Sequence, residues 1–249
     1  MEFDIFGRTA LLVGEQAMER ISRARIIIFG VGGVGSWTAE CLVRTGVKDL
    51  TIVDSDRVSA TNVNRQMPAT SLTIGEIKTE AARKRLLEIN PDADIKTIPL
   101  FYDENTARDI DLTQYDYIVD AIDSLKDKAL LILNATASGK KFFSSMGAAL
   151  KIDPGKVRTA EFWDVKGCPL ARALRQKFKK ERRFPARKFK CVYSDELLAN
   201  KGESGESPDR YKASVNGSLC HITAIFGMTI AGMIIKDIAD IYCLQYALL

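Results

Sequence analysis

The chain has 249 residues, of which 46% are hydrophobic and 27% are charged, as is ordinary for a soluble globular protein. The longest apolar stretch (222–235) has 14 residues, fewer than the ~20 that span a bilayer, so we expect no association with a membrane. The residues near the start of the sequence contain no long apolar run of the kind found in secretion signals. We therefore expect a cytoplasmic protein.

Cysteine and histidine usage restricts the available chemistry. The five cysteines are odd in number, widely spaced and without a Cys-x-x-Cys pair, which argues against a disulfide framework and against a tetrathiolate zinc site. The single histidine, His221, lies in the apolar C-terminal stretch and is expected to be packed inside the protein. Hydrolase mechanisms that depend on a histidine network are therefore excluded.

A strand, a glycine-rich turn and a helix open the predicted fold. Residues 25–30 (R-I-I-I-F-G) are apolar and β-branched, as expected of a buried parallel strand. A helix over 36–45 and a second strand over 50–54 (L-T-I-V-D) complete a βαβ unit.

The alternation of helices and strands continues as far as residue 146. The pattern predicts further helices over 75–90, 104–109 and 125–138, and further strands over 94–99, 117–121 and 141–146. This order indicates an α/β fold with a Rossmann-like, doubly wound, mainly parallel sheet and helices on both faces.

The pattern changes after Gly147. Residues 148–152 and 157–163 flank an Asp-Pro-Gly turn and are expected to form a β-hairpin. A basic segment (172–190) follows, and a helix over 219–238 is the last predicted element.

A glycine-rich loop separates the first predicted strand from its helix. Gly30-Val31-Gly32-Gly33-Val34-Gly35 is built from small residues, which let the backbone turn sharply and bring its N–H groups against phosphate oxygens. Asp54 ends the second strand, nineteen residues past Gly35, where a carboxylate accepts hydrogen bonds from ribose hydroxyls. These features predict a nucleotide site, but they do not distinguish ATP from the cofactor of an NAD-binding oxidoreductase.

Charged residues farther along the chain favour ATP. Asp54, Arg65, Lys78 and Asp123 are all expected near the carboxyl ends of the strands, where open α/β sheets bind ligands. Taken alone, Arg65 and Lys78 are explained as surface charges, and Asp123 is explained as a cap of the helix that follows it. Together, two cations and a spare carboxylate suit a triphosphate with Mg²⁺, because the cations offset phosphate charge and a hard carboxylate holds the metal.

As an ordered set, these motifs resemble the ubiquitin-activating-enzyme-like superfamily, which includes the bacterial adenylating enzymes of molybdopterin and thiamine biosynthesis. The resemblance covers residues 5–146 and rests on five motifs: G-V-G-G-V-G (30–35), D-S-D-R-V (54–58), N-V-N-R-Q (62–66), G-E-I-K (75–78) and D-A-I-D (120–123). It implies one adenylating domain over 1–249, with an ATP-binding part (1–146) and a substrate-binding part (147–249).

The resemblance implies a nucleotide-binding role for each matching position. It implies that Asp54 binds ribose, that Asn62, Arg65 and Lys78 bind phosphates and that Asp123 binds Mg²⁺. The glycines at 30, 32, 33 and 35 belong to the same implied binding set. Its remaining members are Asp56 and Gln66.

The same resemblance implies which residues act in catalysis. Arg65, Lys78 and Asp123 match catalytic positions of the superfamily. Arg8, in F-G-R-T-A-L-L (6–12), resembles an N-terminal arginine that reaches the ATP of a dimer partner. A homodimer with shared active sites is therefore implied.

The C-terminal half points to one branch of this superfamily. Members that activate sulfur carriers usually hold a structural zinc in two Cys-x-x-Cys pairs, which this sequence lacks. The second half is instead similar to the tRNA threonylcarbamoyladenosine dehydratase branch. The motifs behind that similarity are S-S-M-G-A-A (144–149), K-I-D-P (151–154), C-P-L-A-R-A-L-R (168–175), K-C-V-Y-S-D-E (190–196) and T-A-I-F-G (223–227).

That branch implies ATP-dependent activation of a threonyl carboxylate in tRNA as an acyl-adenylate, followed by cyclising dehydration and release of AMP. No enzyme nucleophile is required, because the carbamoyl group of the substrate closes the ring. Adenylation of a sulfur-carrier C-terminus, a noncatalytic nucleotide-binding module and a sulfur-transfer protein partner stay open. So does a catalytic cysteine at Cys168 or Cys191.

The basic segment predicts contact with tRNA. Its nineteen residues hold ten basic side chains and a single acidic one, so the segment carries +9 while the whole chain carries +4. Phe178, Phe184 and Phe189 lie between the basic residues and are expected to stack on unpaired bases. The alternative is a solvated basic surface with the phenylalanines packed inward.

Overall fold

The computed structural model describes residues 5–202 and 216–239. The strands are β1 (Arg25–Phe29), β2 (Asp49–Val53), β3 (Asp94–Ile98), β4 (Tyr117–Asp120), β5 (Lys141–Ser145), β6 (Val157–Glu161) and β7 (Lys190–Ser194). The helices are α1 (Gly7–Val13), α2 (Glu15–Arg23), α3 (Gly35–Thr45), α4 (Lys78–Ile89), α5 (Leu125–Ala137), α6 (Pro169–Glu181) and α7 (Cys220–Ala239).

All seven strands form one sheet in the order β3-β2-β1-β4-β5-β7-β6. Every neighbouring pair is parallel except β6 and β7, which are antiparallel. The strand order reverses beside β1, which has β2 on one side and β4 on the other. Open α/β sheets bind ligands outside the carboxyl ends of the strands at such a reversal, here called the carboxyl edge. The predicted doubly wound, mainly parallel α/β fold is confirmed.

The residues of β1 explain why helices cover both faces of the sheet. Side chains alternate along a strand, so Ile26 and Ile28 join one apolar cluster while Ile27 and Phe29 join the cluster on the opposite face. All four are fully buried, and each burial contributes about 1.5–3 kcal/mol relative to exposure. A strand with two apolar faces is stable only between two layers of helices.

The predicted last helix is confirmed as α7, although it is longer than the apolar stretch that predicted it. Its 20 residues are apolar enough to cross a membrane by length and composition alone. Half of them are buried, and the carbonyl of Gly227 accepts a hydrogen bond from Thr38 Oγ of α3 at 3.1 Å. This is the environment of a core helix.

Two predictions for the C-terminal half are wrong. Residues 148–152 form no strand, because Leu150 adopts φ of +59° and its N–H donates to Gly217 O at 2.9 Å. The partner of β6 is β7, about thirty residues later, so there is no local hairpin. His221 is exposed in the first turn of α7, with Nε2 3.0 Å from Ile152 O, rather than packed.

The N-terminal half differs from expectation in two smaller ways. Of the helix predicted over 104–109, only a 3₁₀ turn at Ala107–Asp109 forms. The helices α1 and α2 were not predicted.

Candidate functional site

The glycine-rich loop lies at the carboxyl edge, between β1 and the first turn of α3. Gly30 has φ of +87°, and a Cβ there would lie 2.7 Å from Ala121 O. A Cβ on Gly35 would lie 1.8 Å from Gly30 O, so neither position accepts a side chain. A Cβ on Gly32 would meet only the Gln66 amide within 4 Å, at 3.8 Å. The loop is therefore tight against the sheet and open above Gly32, beside the N–H groups that begin α3.

A buried lysine and two carboxylates flank this loop. Asp54 Oδ2 accepts a hydrogen bond from Val31 N at 2.7 Å, and Asp54 Oδ1 accepts one from Asp56 N at 2.9 Å. Lys78, the first residue of α4, is 4% exposed; its Nζ lies 3.4 Å from Asp54 Oδ1 and 2.9 Å from Asp56 Oδ2. Burial raises the pKa of the Asp54 carboxyl, and the Lys78 ammonium acts against that rise. Asp54 thus fixes the loop backbone, while Lys78 supplies positive charge inside the site.

Arg65 reaches the same edge from the segment that follows β2. Its guanidinium is half-buried, and Nη1 donates to Thr61 O at 2.8 Å and to Asn64 Oδ1 at 2.9 Å. Desolvation lowers the pKa of Arg65, and the negative charge of Asp123 opposes that shift. Arg65 and Asp123 therefore interact electrostatically across the crevice.

Gln66 presents a buried amide to the glycine-rich loop. It is 8% exposed, and its Oε1 accepts no hydrogen bond from the residues that the structure describes. Because an unsatisfied buried acceptor costs ~1–3 kcal/mol, a donor on a bound ligand would be favoured here. Asn62 uses its Oδ1 to accept from Ser59 N at 3.0 Å in a capping box. Asn62 therefore orders the segment that carries Arg65 and Gln66.

Asp123 is exposed on a short loop between β4 and α5 that is held from inside the protein. Asp120 and Lys128 are fully buried, and Lys128 Nζ lies 2.8 Å from Asp120 Oδ2, which also accepts from Ser144 Oγ at 2.6 Å. Lys128 Nζ donates to Ile122 O at 2.8 Å, and Asp120 Oδ1 accepts from Ile122 N at 3.1 Å. Both backbone polar groups of Ile122 are thus bound, which fixes the residue next to Asp123.

Sequence reasoning did not single out Asp120, Lys128 or Ser144. The available signal was Lys128 itself, which stands in the apolar helical run D-K-A-L-L-I-L (127–133). A lysine is almost never fully buried without a partner, so its position in that run predicts a buried carboxylate.

α1 places Arg8 away from this site in its own chain. Phe6, just before α1, lies 3.7 Å from where a Cβ of Gly46 would be, at the C-terminal end of α3. The glycine-rich loop is at the other end of that helix, about 16 Å away for its 11 residues. The structure brings the other predicted site residues to the carboxyl edge, but not Arg8.

The basic segment consists of most of α6 and the loop that returns to β7. Phe178 is fully buried and Phe189 is 5% exposed, and both rings pack against Phe162. The prediction that these two stack on bases is therefore wrong, because α6 has an inner apolar face beneath its basic one. Phe184 is 53% exposed and lies beside the half-exposed Trp163, with 6.4 Å between ring centroids.

The two candidate cysteines are not suited to nucleophilic chemistry. Cys168 is 2% exposed and Cys191 is fully buried. Burial raises the pKa of the Cys191 thiol well above its ordinary value, which keeps that thiol protonated and unreactive.

Known proteins share the sequence pattern and the fold of this chain. The sequence profile of the ThiF family matches residues 6–246. The chain belongs to the ThiF family. Its relatives include a tRNA threonylcarbamoyladenosine dehydratase of Haemophilus influenzae, which is 34% identical over 241 residues that cover 94% of this chain and 92% of that protein.

Two solved structures of one enzyme share the architecture over nearly the whole of this chain. The Escherichia coli tRNA N6-threonylcarbamoyladenosine dehydratase TcdA in complex with AMP superposes with a TM-score of 0.85 at 31% identity, covering 96% of each chain. The same enzyme in complex with ATP gives a TM-score of 0.82 at 30% identity, again covering 96% of each chain. The likeness therefore includes the C-terminal half as well as the Rossmann-like half.

Proposed function

We propose that this ThiF-family chain activates the threonyl carboxylate of N6-threonylcarbamoyladenosine in tRNA as an acyl-adenylate, and then closes the ring with net loss of water and release of AMP. The observation that carries this proposal is the similarity to tRNA threonylcarbamoyladenosine dehydratases over both halves of the chain. Exchange of labelled pyrophosphate into ATP that depends on tRNA bearing this modification tests it.

The alternatives have less support. Activation of a sulfur-carrier protein is disfavoured because the sequence has no Cys-x-x-Cys pair for the zinc that such members usually hold. An NAD-binding oxidoreductase is disfavoured because the crevice carries Arg65 and Lys78, cations that suit a triphosphate. A noncatalytic nucleotide-binding module would show no turnover.

ATP fits the residues at the carboxyl edge. The loop is open above Gly32, where its backbone can approach phosphates. Lys78 and Arg65 supply positive charge on either side, and the unsatisfied Gln66 Oε1 offers an acceptor to a ligand N–H or O–H group. The two cations suit the triphosphate, and the Gln66 acceptor suits a hydrogen-bond donor on the sugar or the base of the same nucleotide.

Asp123 suits a Mg²⁺ ion. The described residues contain no group of three or more candidate metal ligands. Mg²⁺ does not need one, since it is usually held by one or two carboxylates together with phosphate oxygens and water. Asp123 is exposed at the crevice and would supply that carboxylate. When bound, the ion neutralises charge on the phosphates.

The chain's own residues then act by positioning and by charge. Arg65 and Lys78 offset the negative charge that develops as the substrate carboxylate attacks the α-phosphate. Asp54 holds Val31 and so keeps the loop in one conformation. AMP is a better leaving group than hydroxide, and the substrate's carbamoyl group closes the ring, so Cys191 takes no part.

The outer face of the basic segment is the proposed tRNA-binding surface. Lys179, Lys180, Arg182 and Arg183 are all exposed there. Some other basic side chains of the segment make protein contacts instead, as Arg175 Nη1 does with Phe162 O at 3.0 Å. Phosphates bound to such a surface release counterions, which makes the affinity depend on salt. A tRNA substrate also fits a cytoplasmic location.

A homodimer would bring Arg8 to a nucleotide site. Arg8 is exposed on α1, and α1 also carries Leu11 and Leu12, which are 88% and 84% exposed. Exposed leucines of this kind are often covered by another protein surface. In a symmetric dimer, each chain would supply Arg8 to its partner's crevice.

Mixing two inactive chains tests this arrangement. An Arg8→Ala chain combined with an Arg65→Ala chain should recover activity, because one site in each heterodimer regains both arginines. Adenylation is measured before and after subunit exchange, with each variant alone as the control. A lack of recovery after proven exchange, or a monomer in solution, contradicts an arginine supplied by the partner.

A further inference from the structure

A second cavity lies at the opposite edge of the sheet from the nucleotide site. Its volume is about 620 Å³. Lys141 and Lys190, the first residues of β5 and β7, contribute to its wall, and so does Gly139 after α5. The cavity is therefore at the edge where the parallel strands begin, here called the strand-start edge.

The lining of this cavity is strongly basic. Among the residues that the structure describes, one carboxylate lines it, that of Asp237, against six basic side chains. The six are Lys140, Lys141, Arg187, Lys188, Lys190 and Lys236. Asp237 is already engaged, since its Oδ2 accepts from Tyr117 OH at 2.7 Å and its Oδ1 lies 3.1 Å from Lys141 Nζ. The remaining positive charge suits an anionic ligand.

The basic segment runs from the carboxyl end of β5 to this cavity. α6 begins at the carboxyl edge, where Leu170 Cβ lies 3.8 Å from where a Cβ of Gly147 would be, just after β5. Its 13 residues span about 20 Å. The loop after α6 reaches the strand-start edge, where Arg187 Nη1 donates to Gly139 O at 2.9 Å. Basic side chains therefore follow one path from the carboxyl end of β5 to the cavity.

Exposed aromatic rings occur beside the same loop. Trp163 is 38% exposed and Phe184 is 53% exposed, and Phe184 stands three residues before Arg187. Aromatic faces combined with basic side chains are the usual means of holding RNA without reading its sequence. A small inorganic anion would have no use for them, so the combination favours RNA.

We propose that the basic cavity at the strand-start edge binds the phosphate backbone of the tRNA, about 20 Å or more from the adenosine that reacts. This proposal rests on the proposed function and adds to it a second contact region. A chain of about 250 residues that modifies one base would gain tRNA affinity there without placing more groups near the reaction.

Two lysines of the cavity provide the test. Lys188 and Lys190 are exposed. In Lys188→Gln with Lys190→Gln, we expect several-fold weaker tRNA binding and a log–log salt slope reduced by about 1.4–1.8, or ~0.7–0.9 for each lost phosphate contact. Turnover of a modified RNA fragment chosen to be shorter than the distance from the nucleotide site to the cavity should stay within two-fold of wild type. Lys188→Arg with Lys190→Arg should keep the wild-type slope.

Two further variants separate the possible failures. Lys84→Gln with Lys96→Gln removes the same charge at the other end of the sheet and should change neither affinity nor slope. Lys179→Gln with Lys180→Gln weakens the α6 surface. If the α6 variant loses tRNA affinity and the cavity variant binds as wild type at every salt concentration, the cavity proposal is overturned and the proposed function stands.

Two other outcomes also overturn the cavity proposal. If the wild-type chain binds no tRNA at all, this result contradicts both the proposed function and the cavity proposal. A cavity that binds inorganic phosphate or free nucleotide, with tRNA affinity unchanged in the cavity variant, makes it a small-anion site. Circular dichroism melting of each variant confirms that the chains compared are folded.

Discussion

Asp123→Asn should bind ATP but lose adenylation by ~10²–10³-fold, the usual cost of removing one well-placed electrostatic stabiliser. The amide replaces a carboxylate that is proposed to hold Mg²⁺ and that also faces Arg65. The backbone at Ile122 should stay in place, because Asp120 and Lys128 hold it from inside the protein. The loss should therefore appear in the rate and in the Mg²⁺ dependence, with little effect on folding.

Pyrophosphate exchange and equilibrium ATP binding, measured across a range of Mg²⁺ concentrations, check this result. Asp92→Asn removes an exposed carboxylate from the loop before β3 and serves as the control. An Asp123→Asn enzyme within a few-fold of wild type at every Mg²⁺ concentration would remove Asp123 from the metal site.

Lys128→Ala should destabilise the fold by about 3–5 kcal/mol, because it leaves the Asp120 carboxylate buried and unpaired. For a chain of this size, that corresponds to a Tm lower by about 6–20 °C. Lys128→Met combined with Asp120→Asn should recover part of the loss, since no uncompensated charge remains. Urea unfolding and thermal melting of the three chains measure the effect.

The Lys128→Ala defect should shrink as the pH falls. Burial raises the pKa of the Asp120 carboxyl, and Lys128 acts against that rise, so removing Lys128 raises the pKa further. A carboxyl with a raised folded-state pKa holds more protons when folded than when unfolded, and stability then falls as pH rises. Equal losses of stability at pH 5 and pH 8 would contradict the unpaired-carboxylate explanation.

The parts of the fold that the sequence predicted best depend on local patterns. β1 is a continuous apolar run that ends in a glycine-rich loop, and its buried residues follow directly from that composition. The pairing of β6 with β7 joins Val157 to Ser194, and no local pattern encodes a contact between residues so far apart. Asp-Pro-Gly instead suggested a hairpin, and in the structure Asp153 only caps a 3₁₀ turn there.

The sequence predicted the position of those site residues that belong to recognisable motifs. Arg65, Lys78 and Asp123 follow strands whose carboxyl ends meet at one edge, and the structure places them there. The sequence of the basic segment does not show which of its phenylalanines are buried. Phe178 and Phe184 have similar basic neighbours, but only Phe178 faces the core. The buried partners Asp120 and Lys128 were missed for the complementary reason, that charged residues are normally assigned to the surface.

ATP–pyrophosphate exchange in the presence of purified candidate substrates tests the central claim most directly. Three reactions are compared: tRNA bearing N6-threonylcarbamoyladenosine, the same tRNA without the modification, and a ubiquitin-like sulfur-carrier protein. The proposed function predicts exchange with the modified tRNA alone, followed in single turnover by AMP and a tRNA nucleoside lighter by one water. Exchange driven by the carrier protein, or none with the modified tRNA, would contradict it.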